Sequence, residues 1–348
     1  MNLITNRGNL KSSSNTNEVL IDKRTQRILE YWKKTGFPYV KTTKSYRQEK
    51  FNAFMKVNDK SSLDFNNRTF KFNNGGLSLA WSYHPHAFKV QCKNAKSPID
   101  VFNDDETFSK GIRKTLKGSF FKKQPYQVLM KETDQSKEMI RGICRRVSGA
   151  QMVSNFRPIT ASMIYKLFCD EGDTVWDMSC GWGGRLLASI KANVNYIGTD
   201  PNTQTMKGLK QMITTFGVKA RDYKLHTIGS EEYKPKKNSL DFCFTSPPYW
   251  DTEKYSKEKT QSYIKFKTLN EWKEGFLKKT IDNCYHGLKS NKFLALNVAN
   301  VIGVYETFEQ DTKQIAKEIG FKWVDTFNLS LSSQSKTSKD EPIFIFRK

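Results

Sequence analysis

The chain has 348 residues, 37% of them hydrophobic and 13% aromatic, and a formal charge of +23. That composition is too apolar for a disordered chain, and no run approaches the roughly 18 apolar residues of a membrane span. Such an excess of Lys and Arg attracts polyanions, nucleic acid first and an anionic membrane second.

In chain order, residues 18–34 have helical spacing, with Leu20, Ile21, Ile28, Leu29 and Trp32 on one side and Lys/Arg on the other. Residues 62–102 read as β-rich, with turn signals at Asn73-Asn74-Gly75-Gly76 and His84-Pro85-His86. The basic stretch 110–123 reads as a helix plus loop. A boundary near Ser148-Gly149-Ala150 separates a basic amino-terminal α+β region, 1–147, from a second domain, 148–348.

Beyond it, strand and helix patterns alternate. Strand 174–177 runs into Ser179-Cys180-Gly181-Trp182-Gly183-Gly184, and a helix starts at Arg185. Strands are expected at 195–200, 223–228, 239–245 and 293–298, with helices at about 205–216, 269–288 and 307–319. The end differs: 321–331 and 342–346 read as two strands joined by a polar loop, 332–340, with no helix between. The pattern predicts an α/β fold, a mostly parallel sheet with helices on both faces, closed by a hairpin.

Residues 1–150 hold 29 Lys/Arg against 13 Asp/Glu, a balance of +16, and residues 151–348 hold 29 against 22, a balance of +7. The asymmetry assigns polyanion contact to the amino-terminal part. Six cysteines are scattered without a C-x-x-C pair, which predicts reduced thiols in a cytoplasmic protein and no zinc site. The amino terminus has no apolar core of signal-peptide length. His84 and His86 have no matching Cys or carboxylate cluster, and a metal there is not expected.

Two motifs carry chemistry. Ser246-Pro247-Pro248-Tyr249-Trp250 follows an apolar strand, and two ring-locked residues without N–H donors can neither extend it nor open an ordinary helix. The chain must leave in a stiff turn, with free carbonyls, a hydroxyl and a ring beyond. Such a corner suits a flat, amine-bearing ring, although a plain surface turn or a proline-rich ligand would look the same. The turn Asp177-x-x-x-Gly181-x-Gly183-Gly184 lets backbone approach a ligand closely. Asp200 ends the next strand, where it can accept from two ribose hydroxyls or cap the following helix. The turn does not match G-x-G-x-x-G, which argues against a dinucleotide fold.

Asn155-Phe156-Arg157-Pro158, then 177–184, then Asp200, then 246–250 resemble, in that order, the amino-methylating branch of the S-adenosylmethionine-dependent DNA methyltransferases, and phage-encoded N4-cytosine/N6-adenine methylases most. The resemblance covers about residues 150–348. It implies a Rossmann-like class I methyltransferase sheet of seven strands, the last antiparallel, acting in a bacterial or phage-infected host cytoplasm. It implies that Asp177, Ser179, Cys180, Gly181, Gly183 and Gly184 lie under the methionine part of S-adenosylmethionine. Asp200 would hold the ribose, Ser230 or Glu231 flank the adenine, and Asn155, Phe156, Arg157 and Pro158 complete the methionine pocket. Ser246, Pro247, Pro248 and Tyr249 would form the catalytic loop, with Trp250 and Tyr255 as substrate-binding candidates.

The implied reaction methylates the exocyclic amine of a base flipped out of duplex DNA, N4 of cytosine favoured over N6 of adenine because serine opens the loop. An RNA methyltransferase or an inactive nucleic-acid-binding protein of the same fold are the alternatives. Cys180-Gly181-Trp182 departs from the commoner Phe-x-Gly-x-Gly form. No Pro-Cys dipeptide is present for methylation at ring carbon. Residues 251–267 are expected to form a lid or a solvated loop.

Overall fold

The structure, a computed structural model, describes residues 8–118, 125–331 and 340–348. The chain forms two units, Met1–Tyr39 with Ala87–Val153, and Val40–His86 with Ser154–Lys348. The larger unit is built on a nine-stranded sheet: β1 (Leu63–Asp64), β2 (Thr69–Phe70), β3 (Thr174–Asp177), β4 (Asn195–Thr199), β5 (Tyr223–His226), β6 (Leu240–Thr245), β7 (Leu288–Asn297), β8 (Lys322–Ser330) and β9 (Asp340–Arg347). Seven of these run in the order β5-β4-β3-β6-β7-β9-β8. Strands β3 to β7 pair in parallel, and β9 lies antiparallel to both β7 and β8. This is the α/β architecture that the alternating pattern predicts.

The seven expected strands are present, the last of them antiparallel, and two short ones bring the sheet to nine. The β1–β2 pair adds to the edge, with Thr69 opposite Asn328 and Phe70 opposite Leu329. Strands of two residues are too short to leave a period-two signal.

Successive side chains of a strand point to opposite faces, and both faces here are covered. Val175, Phe242, Phe244, Ala295, Ile343 and Ile345 enter one core with the helices Pro158–Phe168, Gly184–Ala192 and Thr203–Phe216. Trp176, Cys243, Leu294, Leu296, Phe344 and Phe346 enter the other, with Trp272, Phe276 and Ile281 of the helical run 269–287 and with Phe308 and Ile315 of the helix Phe308–Ile319. The expected loop at 332–340 lies, up to residue 339, outside the described residues.

Residues 40–86 correct the expected boundary, since they pack with the sheet. Phe54, Leu63, Phe70 and Leu79 join the first core. Lys191 donates to the carbonyls of Phe54, Met55 and Val57 at 2.9 Å each, and buried Asp59 accepts from Lys166 at 2.6 Å and Ser162 at 3.0 Å. A buried carboxylate is tolerable only with partners of this kind, so the segment is fixed electrostatically as well as by apolar burial. The β-rich expectation for 62–102 is also corrected, because most of this stretch is helical or turn.

The smaller unit is mainly helical rather than α+β. Gly8–Thr35, Pro98–Asn103, Asp105–Lys117, Pro125–Leu129 and Asp134–Arg146 enclose Ile28, Trp32, Phe102, Phe108, Ile112 and Ile140. Trp32 donates its indole proton to the Leu129 carbonyl at 2.7 Å, which satisfies the one polar atom that this buried ring carries. Residues 119–124, the end of the expected helix-plus-loop, lie outside the described residues. This unit holds 21 Lys/Arg against 10 Asp/Glu, +11 in 106 residues, and the larger unit 37 against 25, +12 in 242. Its charge density is about twice that of the larger unit.

Candidate active site

In a sheet of this order the direction of chain progression reverses between β3 and β6, and a crevice opens beyond their carboxyl ends. Both motifs exit there: the glycine turn follows β3 and the proline corner follows β6. Side chains stitch the two exits together. The Asp177 carboxylate accepts from Thr245 Oγ1 at 2.9 Å, Tyr196 Oη at 2.7 Å and Arg185 Nε at 2.8 Å, and the Ser179 N–H reaches Thr245 Oγ1 at 3.1 Å. Asp177 is fully buried. Its carboxylate holds the turn through these partners.

The turn is shaped by its glycines at two places. Gly183 has φ +78° and a Cβ there would lie 2.8 Å from Leu209. A Cβ on Gly184 would collide with the Phe156 carbonyl and sit 2.7 Å from Asn155 Oδ1. Asn155 also donates to the Trp182 carbonyl at 3.2 Å. Asn155 and Phe156 are therefore laid against the turn. Arg157 and Pro158 are not. Arg157 donates to the Ser330 carbonyl with its guanidinium 4.2 Å from the Phe72 ring centroid, and Pro158 starts its helix against Gly76.

Asp200 accepts from the Gly181 N–H at 3.0 Å and the Asn202 N–H at 2.9 Å, one bond to each oxygen. Each oxygen keeps acceptor capacity. Burial raises its pKa from the ordinary carboxylate range to about 6, against those two bonds. Cys180 turns its thiol into the core, where burial pushes it well up, and it offers no side chain to a ligand. Ser230 is buried with its hydroxyl 2.8 Å from Thr280 Oγ1, and Glu231 is buried and ion-paired with Lys265. Their partners come from the helices Lys279–Gly287 and Ser262–Lys265, after the catalytic loop.

At the proline corner Tyr249 packs edge-on against Phe308, 5.2 Å between centroids. Trp250 takes φ +46°, a conformation costly for a bulky residue, and packs on the second core. Tyr255 leaves the corner altogether: its ring lies 6.0 Å from that of Trp182 and its hydroxyl bonds Glu253. Glu258 accepts from the Thr203 N–H at 3.2 Å, and Asn202 reaches the Tyr255 carbonyl at 3.5 Å. Residues 255 and 258 thus lie against the glycine turn and the end of β4.

Three residues at this end were not singled out by sequence. Asn297 ends β7, buried, and donates to the Pro342 carbonyl at 3.1 Å. Glu341 and Glu253 are both pushed up by burial, and Glu341's charge raises Glu253 further. None belongs to a motif; each is a lone polar residue in or beside a strand. His84 is fully buried, its pKa lowered to about 3 by burial and then by the charges of His86 and Arg47. Among the described residues, no group of three or more His, Cys, Asp or Glu is arranged to hold a metal. No helix among them is long and apolar enough to cross a membrane.

No family model and no curated protein matches the chain. Solved structures do. The [4+2]-cyclase SpnF is similar at 11% identity, over 55% of this chain and 81% of that one, with a TM-score of 0.41. A TehB-like S-adenosylmethionine-dependent methyltransferase from Corynebacterium glutamicum is similar at 13% identity, over 56% and 89%, with a TM-score of 0.37. A third is 1,6-didemethyltoxoflavin-N1-methyltransferase from Burkholderia thailandensis, solved with S-adenosylhomocysteine, at 11% identity, over 54% and 76%, with a TM-score of 0.40.

Proposed function

We propose that this protein transfers a methyl group from S-adenosylmethionine to the exocyclic amine of a nucleobase in DNA, cytosine N4 before adenine N6. The observation that carries it is the stitching of the glycine turn to the proline corner through Asp177, Thr245 and Ser179, at the crevice where the sheet order reverses.

The residues of the first half fit the cofactor. Asp200 is a half-buried carboxylate with one backbone donor on each oxygen, so it has room for the two hydroxyls of a ribose. Gly181 has φ +47°, and a Cβ there would meet only the Ser179 carbonyl, at 3.7 Å, which leaves open space over the turn. When bound, S-adenosylmethionine supplies an electrophilic methyl on a sulfonium. The chain's own part is to hold the amine. An exocyclic amine is a weak nucleophile because its lone pair is delocalised into the ring. The Ser246 hydroxyl and Pro247 carbonyl, accepting its two N–H bonds, favour a pyramidal nitrogen whose lone pair points at the methyl. Well-oriented reactions of this kind reach effective molarities on the order of 10⁵ M. The base must leave the duplex to arrive there.

Incubation with labelled S-adenosylmethionine and duplex DNA or RNA, followed by digestion to nucleosides, tests the reading. Label in N4-methylcytosine or N6-methyladenine of DNA upholds it; label in RNA alone, or in neither, removes it.

Asp200 gives a pH prediction. Its raised carboxyl favours the protonated folded protein, so its own contribution to stability is present at acid pH and lost as pH rises through about 6. Cofactor binding runs the opposite way, because the ribose hydroxyls need the carboxylate. Calorimetry should show affinity weakening below pH about 6, by up to about tenfold per unit, and Asp200→Asn should bind weakly with no such dependence.

The basic smaller unit is the candidate for DNA binding, through phosphates that supply affinity and salt dependence. Lys23, Arg27 and Lys34 are exposed on the helix Gly8–Thr35. Replacing each with glutamine should weaken DNA binding evenly across sequences and flatten the log–log salt slope by about one for each phosphate left without its cation. An unchanged slope would assign the phosphates to other residues.

A further inference from the structure

A groove of about 800 Å³ runs between the helix Phe308–Ile319 and the first residues of β8. Buried Phe321 and Phe346 line it, together with Lys313, Lys317, Lys322 and Trp323. It is separate from the crevice of the candidate site. Trp323 pairs with Phe346, Phe346 with Leu294 and Leu294 with Cys243, which sets Trp323 three strands from β6 and level with a residue three before Ser246.

Trp323 is 58% exposed. Its indole N–H is already donated to the Asp325 carbonyl at 2.8 Å, so what the ring has left to offer is its apolar, electron-rich face. The Lys313 ammonium lies over that ring, 4.9 Å from its centroid, and 4.2 Å from the centroid of Phe344. Lys313 and Lys317 are one turn apart and share a face of the helix, and Lys317 and Lys322 are exposed. None of these three ammoniums is ion-paired among the described residues. The two carboxylates of the lining belong to the other end and are occupied there. Glu309 accepts from the Asn300 N–H at 3.1 Å, and Asp311 from Tyr305 Oη at 2.9 Å and Thr307 Oγ1 at 3.1 Å.

Uncompensated cations beside an open aromatic face suit a chain of phosphates whose bases are unstacked. A duplex hides those base faces, and an acidic peptide would leave the ring without a partner. The strand is also poorly made for pairing with an added strand of protein. Its register shifts between Trp323 and Asp325, and Arg68 is ion-paired with Asp325, two features that blunt a sheet edge.

We propose that this groove binds single-stranded DNA, with one base stacked on Trp323 and the flanking phosphates taken by Lys313, Lys317 and Lys322. The choice of DNA over RNA rests on the amine-methylation reading; the stacking and the charge do not. At its other end the groove reaches Glu309, next to the Phe308 ring on which Tyr249 packs, so a strand lying along it runs towards the flank of the proline corner.

A short fluorescent oligo(dT), titrated into the full chain without cofactor, is the probe. Trp323→Ala should weaken its binding on the order of tenfold, the usual worth of one stacked base, and leave affinity for duplex DNA unchanged. Lys317→Gln and Lys322→Gln should each flatten the log–log salt slope by about 0.7, the single-strand value per phosphate. Oligo(dT) carrying 5-iodouracil should crosslink under ultraviolet light to the peptide that contains Trp323. Wild-type affinity in Trp323→Ala, unchanged slopes in both lysine variants, or a crosslink confined to other peptides would each overturn the groove. Equal or tighter binding of oligo(U) would overturn the choice of DNA, and a preference for polyglutamate over oligo(dT) would give the groove to an acidic protein instead. Should Trp323→Ala fail to melt like the wild type, the lysine slopes decide. None of these measurements needs methyl transfer, so a protein that methylates nothing yet binds the strand through Trp323 removes the earlier reading and keeps the groove.

Discussion

Replacing Arg185 with methionine is expected to destabilise the protein by about 3–5 kcal/mol, the usual cost of stranding one member of a buried ion pair. Arg185 and Asp177 are both buried, and the guanidinium makes more than one bond: Nε to Asp177 at 2.8 Å, Nη2 to Thr245 Oγ1 at 3.3 Å and to the Ser179 carbonyl. Asp177 and Tyr196 raise the arginine's pKa against its burial, so it stays charged. Methionine fills comparable space but leaves the carboxylate facing Thr245, Tyr196 and the Ser179 N–H alone. Calorimetric melting should show a drop on the order of 10 °C, at a few degrees per kcal/mol for a chain of this size. Arg185→Lys should fall between, since an ammonium cannot span all three acceptors. A loss below about 1 kcal/mol is what a surface pair would give, and it would deny the pair its part in holding the glycine turn.

Ser246→Ala is expected to lower kcat on the order of 10²–10³-fold, the effect of removing one preorganised hydrogen-bond partner at a reacting centre, with cofactor affinity unchanged. The hydroxyl is asked to favour the pyramidal amine, an interaction that strengthens toward the transition state, so kcat and kcat/KM should fall together. Calorimetry with the cofactor and single-turnover kinetics with DNA separate the two quantities. If affinity for the cofactor collapsed while the single-turnover rate held, the corner would belong to the cofactor's pocket and the base would have to lie elsewhere.

The architecture was legible where periodicity is strong. Strands 174–177 and 240–245 and the closing hairpin stand where their apolar patterns put them, because strands buried on both faces read as apolar runs. The segment 40–86 was illegible for a physical reason: its attachment depends on Lys166 and Lys191 meeting Asp59, residues over 100 positions away. In the site, Ser246, Gly181, Gly183, Gly184 and Asp200 come together at one crevice. The partners of Asp177 were illegible because nothing near it in sequence reveals Tyr196 and Thr245 arriving from other strands. The same holds for Ser230 and Glu231, whose partners are Thr280 and Lys265. Glu341 and Asn297 carry no local signal; only register makes them neighbours of Ser246.

The chain passes between its two units at residues 39–40, 86–87 and 153–154. The smaller unit is therefore not a cassette that one cut could release. During synthesis its first helix must wait until Ala87–Val153 has left the ribosome, and the sheet waits longer still, since β9, the last of its strands in chain order, is the wedge between β7 and β8. Exchanging this unit for another would demand two grafts made together, with 40–86 left in place between them.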